Sequence, residues 1–546
     1  MFLGGIVLLS LILYLPGLGF YSDDWHFLGA LSTSSDRSLV GLYTAIHTDE
    51  VAMRPVQVAY LAALYRMFGL SPLGYHLVNA AVLLCSTVLL YLVARALREW
   101  RVIALAVAVV YALLPHYSTA RFWIATFTAP LSIALYFLSL YAELQALPGA
   151  RAWAWRLLAV LSLVASGLAY EVALPLFLLN PLLAWCRGRR LRGRQAGTPL
   201  AAAITPLALL AVVAFKLGTT NRLGNHGSLP THVLALGRRA LSFDADPEYG
   251  LDIAKAIRLS YGDYGTGLPR LAWRILRDHP DPAVVGMGAM LAVLVFAYLY
   301  RASRGQDGGL PGRDGLLGCV ALGALVFGLG YAIFLTNPDL QLTSTGMGNR
   351  TAVAAAVGVA LSLVGVLGLL STLVPGEPGR RGAFSALVAL LGVAGFLVTQ
   401  TLASFWVEAY RKERAILSDI RQHFPTLSSG SVLIVDGVCP YVGPAVVFES
   451  SWDLAGALTT LYADRTLAAD VVTPNMTVGE NGLRTVLYES IEHDYPYGNV
   501  LIYHYGRKEA YPLPDAEAAH RYFDAVNPDR SGGCPRGHEG RGVPVF

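Results

Sequence analysis

The sequence predicts a polytopic α-helical membrane protein of about 11 transmembrane helices, followed by a small α/β domain at its C-terminal end. Three observations predict it. Of 546 residues, 55% are hydrophobic and only 14% are charged, against about 25% charged in soluble domains. Apolar stretches of about 20 residues recur as far as residue 404, and that is the length a ~30 Å hydrocarbon core requires of a helix. Beyond that point the chain turns polar and reads as alternating helix and strand. The formal charge of +4 gives no basis for nucleic-acid binding; position of charge matters more than its sum.

Hydropathy places the spans at residues 1–20, 73–97, 102–117, 122–142, 156–170, 173–186, 199–217, 283–300, 314–335, 351–373 and 383–404. Residues 1–20 lack a basic n-region and a small-residue cleavage site before Tyr21, so they read as a retained first span. The fifth and sixth spans are short enough to form a tight hairpin. Arginine placement orients the set. Fifteen arginines fall in loops of one side, among them Arg98, Arg189 and Arg304, whereas the short loops of the other side hold Arg37, Arg54, Arg121 and Arg350. The positive-inside rule makes the first side cytoplasmic. The N-terminus is then cytoplasmic, and an odd number of spans puts residues 405–546 outside. The expected division is a transmembrane domain over 1–404, with outer loops 21–72 and 218–282, and an extracytoplasmic α/β domain over 405–546. Ala-, Gly- and Arg-rich usage suits a bacterium with a GC-rich genome, hence the inner (plasma) membrane. In the long loop, LPTHVLALGRRALSF and DIAKAIRLSYG read as amphipathic interfacial helices.

The tail reads as a helix over 406–423, a strand SVLIVDGV, a helix over 451–464, and strands near LAADVV and NVLIYHYG. Asp436 falls at a strand end, where α/β folds bind ligands; the other role for this domain is to hold an acceptor or pack on the loops. Cys439 and Cys534 can pair if the tail is outside. Cys85, Cys186 and Cys319 read as small core residues, and no CxxC or CxxH spacing suggests structural zinc.

The chemistry concentrates on the outer side. In FYSDDWHFL, residues 20–28, the adjacent Asp23 and Asp24 follow the first span directly. A carboxylate in hydrocarbon is costly, so acids at a span end mark either an aqueous cavity or simply the end of the span. Glu171, in GLAYEVALP between the two short spans, is too costly to be casual if buried; it either serves the cavity or caps a broken helix. His26, His47, His76 and His116 lie near the same face. With aspartate they form a set able to bind a divalent ion; alternatively they hydrogen-bond headgroups and helix ends. Tyr21, Trp25, Tyr75, Tyr117, Phe122 and Trp123 suit an interfacial belt, one or two being available to stack on a ligand ring.

After the diacid comes MRPVQVAYLAALYRMFGLSPLGYHLVNAAVLL, residues 53–84, and much later TSTGMGNRTAVAAAVGVAL, residues 343–361. Together these resemble the GT-C superfamily of membrane glycosyltransferases, in particular the glycosyltransferase family 39-like, protein O-mannosyltransferase-like and aminoarabinose transferase-like branches. The resemblance covers the N-terminal half; the tail matches no family. It implies an enzyme that takes a sugar from a polyprenyl phosphate and passes it, with inversion, to an extracytoplasmic glycan, lipid or protein. By the family's pattern Asp23, the first acid of the pair, is the base that accepts the acceptor hydroxyl's proton. Asp24 then orients the site or binds a metal. The phosphate is already a good leaving group and needs cations to hold it. Arg54, Arg121 and Arg350 are the candidates, with His76, His116 and Glu171 as further substrate-binding candidates. Arg222, Arg238, Arg239, Lys255 and Arg258 offer the same charge from the long loop. Each arginine has a plainer role, snorkelling to lipid headgroups. No metal ligand is assigned, and the resemblance leaves a divalent ion open. PHYSTARFW lacks the second acid that several relatives carry after the third span, and Glu171 is the candidate to replace it. The rival functions are a transporter or flippase of lipid-linked sugars, which predicts polar residues deep in several spans and repeat symmetry, a glycan polymerase or ligase, and an inactive scaffold.

Overall fold

The structure, a computed structural model, describes residues 1–98, 100–146, 152–190, 199–222, 251–278, 280–305, 309–337, 340–487, 491–530 and 534. Arg238, Arg239 and the first expected interfacial helix lie outside the described residues. Among the described residues, six helices are long and apolar enough to cross a membrane: Pro72–Leu97, Ala125–Gln145, Ala152–Ala169, Pro282–Ala302, Arg313–Leu335 and Glu377–His423. Shorter apolar helices cover Phe2–Leu11, Arg101–Leu113, Ile204–Thr219 and Ala355–Ser371. The chain is an integral membrane protein, but the expected 11 spans do not all appear as crossing helices among the described residues. Residues 1–20 show why. The helix Phe2–Leu11 has 10 residues, about 15 Å at 1.5 Å per residue, and the chain then tightens into a 3₁₀ turn, Leu15–Gly17, at Pro16. Likewise the expected sixth span begins as a 3₁₀ helix, Glu171–Leu178, with Pro175 inside it, before the α-helix Leu179–Arg190.

The last span differs in the opposite sense. Residues 396–423 contain neither Gly nor Pro, so nothing stops the helix. The span and the separate helix expected over 406–423 are one helix of 47 residues, Glu377–His423, about 70 Å long. It carries the chain from the helical bundle to the C-terminal domain, and the boundary expected after residue 404 falls inside it.

Among its described residues the C-terminal domain contains nine strands: β1 Val432–Asp436, β2 Tyr441–Val442, β3 Ala445–Val446, β4 Ala468–Val471, β5 Met476–Val478, β6 Gly482–Leu487, β7 Ile491–Pro496, β8 Val500–His504 and β9 Glu509–Leu513. The main sheet has the order β4-β1-β8-β9. Its β1 pairs in parallel with β4 (Val432 opposite Ala468) and with β8 (Val432 opposite Val500), whereas β9 runs antiparallel. All of VLIVD in β1 is buried, as a central parallel strand requires. The crossover from β1 to β4 passes through the helix Ser451–Tyr462. Cys439 and Cys534 form a disulfide that ties the end of the described chain to the loop after β1. Asp436 is fully buried, accepting from Tyr522 Oη at 2.6 Å and Asn527 Nδ2 at 2.8 Å; it fastens the helix Ala516–Val526 to the sheet. Of the remaining cysteines, Cys319 is buried, while Cys85 and Cys186 are exposed on their helices, where an apolar environment means lipid rather than core.

Two close approaches bring the domain onto the loop that carries the diacid. Helix Asp23–Ser32 crosses helix Ser451–Tyr462 where Gly29 meets Gly456. A Cβ on Gly456 would lie 2.3 Å from the Trp25 carbonyl oxygen, and one on Gly29 would lie 2.9 Å from the Gly456 oxygen. The same loop is bolted to the long helix: Tyr21 Oη donates to the Trp406 carbonyl at 2.8 Å, and Trp25 Nε1 donates to Glu413 at 3.2 Å.

Candidate active site

Asp23 and Asp24 open the helix Asp23–Ser32, so successive side chains point about 100° apart and the pair divides. Asp24 is buried, 3% exposed. It accepts from three backbone N–H groups: Tyr21 at 3.0 Å, Ala125 at 2.6 Å and Ile124 at 3.4 Å. It thereby pins the first loop to residues 124–125. Asp23 is only half-buried and faces a cavity of about 370 Å³, whose wall also includes Ser22, Trp123, Tyr170, Arg350, Glu449 and Trp452. That volume lies in the ~300–1,000 Å³ range of small-molecule sites.

Arg350 reaches this cavity on the 3₁₀ turn Met347–Val353, just after Gly346 at φ +73°. Its guanidinium carbon stands 5.2 Å from the centre of the Trp123 ring. Asn349 fixes the turn. Its amide donates to the His116 carbonyl at 3.0 Å and the Ser344 carbonyl at 2.9 Å, and its oxygen accepts from Thr119 N at 3.1 Å and Ser118 Oγ at 3.2 Å. Every hydrogen-bonding direction of this buried side chain is used, and the TSTGMGNR segment is locked to PHYSTARFW.

Glu449 is the residue that sequence reasoning missed. It is 4% exposed, comes from the C-terminal domain, and lines the cavity with Asp23. Oε1 accepts from Ser22 Oγ at 3.2 Å and Oε2 from Tyr441 Oη at 2.6 Å. Its own N–H donates to buried Asp453 at 2.8 Å, which fixes its peptide at the start of helix Ser451–Tyr462. Burial pushes the Glu449 carboxyl above its usual range and the charge of Asp23 adds to this. The Tyr441 and Ser22 hydrogen bonds and the Arg350 charge pull the other way. The segment FESSWDLAGAL showed an acid next to a helix start, but nothing local to it told that the helix would land on the first loop.

Trp123 apart, the other sequence-predicted residues that the structure describes are not brought to this cavity. Arg121 is 5% exposed and donates to the carbonyls of Ala112, Tyr111 and Leu114 at 2.8, 3.2 and 2.9 Å. It closes the C-terminal end of helix Arg101–Leu113 and stacks on Tyr117. Arg54 and Glu171 pair with each other. Arg54 Nε lies 3.1 Å from each carboxylate oxygen, and Lys216 Nζ lies 2.8 Å from Oε1. Arg54 also stacks at 4.1 Å on Tyr170, whose residue lines the cavity, so this ion cluster stands behind the wall. His76 Nε2 meets the Gly19 carbonyl at 2.9 Å, and His116 Nε2 meets the Ser260 carbonyl at 2.8 Å; both are buried. Lys255 and Arg258 do not line the cavity. Tyr21, Trp25, Tyr75, Tyr117 and Phe122 are core residues, and of the six aromatics only Trp123 reaches the cavity wall. Among the described residues, no group of three or more His, Cys, Asp or Glu is arranged to hold a metal ion.

No protein-family model matches the sequence, and neither does any curated protein. Solved structures do. The chain is similar to ArnT from Cupriavidus metallidurans bound to undecaprenyl phosphate, at 16% identity and a TM-score of 0.37, over 86% of this chain and 88% of that one. It is similar to the Archaeoglobus fulgidus oligosaccharyltransferase in complex with zinc and sulfate, at 13% identity and a TM-score of 0.37, over 85% of this chain and 62% of that one. A further match is oligosaccharyltransferase AglB from Archaeoglobus fulgidus in complex with an inhibitory peptide and a dolichol-phosphate, at 13% identity and a TM-score of 0.39, over 86% and 63%.

Proposed function

We propose that the protein is a membrane glycosyltransferase that moves a sugar from a polyprenyl-phosphate donor to an extracytoplasmic acceptor, with inversion at the anomeric carbon. One observation carries this reading: Asp23 and Arg350, from loops far apart in sequence, line the same cavity. A carboxylate and a guanidinium on one cavity are what the reaction needs. The acceptor hydroxyl gives its proton to the Asp23 carboxylate as its oxygen bonds to the anomeric carbon. On the opposite face the bond from that carbon to the phosphate oxygen breaks, the electron pair leaves with the phosphate, and Arg350 balances the charge. Trp123 and Trp452 supply ring faces for a sugar. Ala129, Val172, Phe334 and Leu340 supply an apolar wall suited to the first isoprene units of the donor.

The test is mass spectrometry of cell-envelope glycans from cells making the native protein, cells lacking it, and cells making Asp23→Asn at equal level. The expected result is a glycan present in the first and absent from the other two, while Asp23→Asn still binds donor. A transporter or scaffold would tolerate this nearly isosteric change; unchanged glycan in the Asp23→Asn cells sinks the assignment of Asp23 as base.

A further inference from the structure

We propose that Glu449 is a positioning residue for Asp23. Its hydrogen bond with Ser22 sets the backbone that presents Asp23, and its negative charge across the cavity keeps Asp23 a ready proton acceptor. The role rests on the reading of Asp23 as the base, and it makes the C-terminal domain part of the reaction machinery.

The geometry has three parts. First, Ser22 has φ +44° and ψ −116°, a conformation that a residue with a Cβ adopts rarely and only when its surroundings hold it there. Ser22 immediately precedes Asp23, so its backbone sets where the Asp23 side chain starts. Second, the Ser22 side chain ends on Glu449 Oε1, and the other oxygen is held by Tyr441 at 2.6 Å. Glu449 is therefore oriented at both oxygens, 4% exposed, and fixed at its own peptide by Asp453. Third, Glu449 and Asp23 line one cavity. Two carboxylates on one small space disfavour each other's ionisation, so each holds its proton more readily than it would alone.

Among the described residues, the neighbouring charges come from several elements. Asp24 stands beside Asp23 on the same helix turn; Arg350 enters from the turn Met347–Val353; Tyr441 comes from β2 and Asp453 from helix Ser451–Tyr462; Arg54 acts on Asp23 from the start of helix Pro55–Phe68. Of these, Arg54 is already committed to Glu171, and Asp24 to backbone N–H groups. Burial and the Asp23 charge raise the Glu449 carboxyl, which is the reciprocal of the effect proposed on Asp23.

The experiment labels full-length protein in detergent with a carbodiimide and an amine, which trap protonated carboxyls, and follows Asp23 by peptide mass spectrometry across pH. In Glu449→Gln the charge is lost and the shape is kept. The midpoint of Asp23 labelling is expected to move to lower pH by about half a unit or more. Glu449→Asp keeps the charge and is expected to hold the midpoint near that of the native protein. An unmoved midpoint in Glu449→Gln, or the same movement in both variants, overturns the proposal. The transfer rate, read in parallel, separates the two claims. If glycan transfer is absent from the native protein while the midpoint moves, the functional reading fails and the Glu449–Asp23 coupling stands. If transfer is present and its acid limb does not follow the labelling midpoint, Glu449 does not tune the base.

Discussion

Asp24 Oδ1 accepts a hydrogen bond from the Ala125 N–H at 2.6 Å, and this contact gives two adjacent carboxylates different work. Asp24 joins the first loop to the start of the segment Ala125–Gln145, with two further N–H donors on Oδ2. Asparagine in its place offers one oxygen and turns an NH₂ group toward backbone donors. Leaving buried N–H groups unpaired costs about 1–3 kcal/mol each. Asp24→Asn is therefore expected to lower the unfolding midpoint in detergent by several degrees, and Asp23→Asn to lower it much less. Equal midpoints for the two variants would contradict the division of roles.

Glu171 supplies a pH-dependent test of a different kind. Burial alone would raise its carboxyl, but Arg54 and Lys216 outweigh burial and hold it at about 2 against the usual 4.5. A depressed carboxyl contributes its full stability above the unfolded value, near pH 4.5, and loses it as pH falls toward 2. The shift corresponds to about 3 kcal/mol. Between pH 5 and pH 3 the native protein is expected to lose more stability than Glu171→Gln, which has no carboxyl to protonate. At pH 7 the variant is the weaker one by about 3–5 kcal/mol, since two cations are left without their partner. Parallel melting curves for the two proteins over this range would show that the ion cluster is not what the geometry indicates.

How much of this was legible in the sequence depended on the range of the signal. Helices and strands with strong local periodicity were readable: SVLIVDGV became β1, LAADVV became β4, and NVLIYHYG became β8. Hydropathy found apolar stretches but not their ends, because Pro16, Pro175 and the turn at 347–353 shorten helices without changing composition. Nor does hydropathy distinguish core from lipid, so Cys85 and Cys186 were misplaced. In the site, Asp23 and Arg350 stood out as charges at loop–span junctions. Arg121 and Arg54 carried the same signal and do other work, since carbonyls at a helix end and a partner carboxylate are equally good sinks for a guanidinium. Glu449 was invisible because its meaning depends on a helix crossing between residues more than 400 positions apart.

That crossing is itself testable. Gly29 and Gly456 let two helices approach until only hydrogen atoms fit between them, and a Cβ at 456 would lie 2.3 Å from the Trp25 carbonyl, a backbone atom that cannot swing aside. Gly456→Val should push helix Ser451–Tyr462 off helix Asp23–Ser32 and carry Glu449 and Trp452 away from Asp23. Overpacking of this kind costs about 1–3 kcal/mol. The expected outcome is a protein that still inserts in membranes, unfolds a few degrees earlier, and transfers sugar at least tenfold more slowly. Normal transfer by Gly456→Val would mean that the C-terminal domain is not needed in its observed place.

Arg350 and Arg121 make the sharpest paired comparison, because both are arginines at loop–span junctions of the same predicted face and only one lines the cavity. Arg350 stands over Trp123 with the cavity in front of it; under the proposed function its loss would remove a charge-assisted contact to the donor phosphate, worth about 1.5–3 kcal/mol. Arg350→Gln is expected to raise the KM for a polyprenyl-phosphate sugar by about tenfold or more, with little change in melting temperature. Arg121 instead donates to three carbonyls at the end of helix Arg101–Leu113 and is buried. Arg121→Gln strands those carbonyls, so it should lower the melting temperature, and any loss of transfer should follow the folded fraction rather than donor concentration. Measuring rate against donor concentration for both variants, with folded protein quantified by size-exclusion chromatography, decides it. If the two variants exchange these behaviours, Arg350 is a structural residue and the phosphate is held elsewhere.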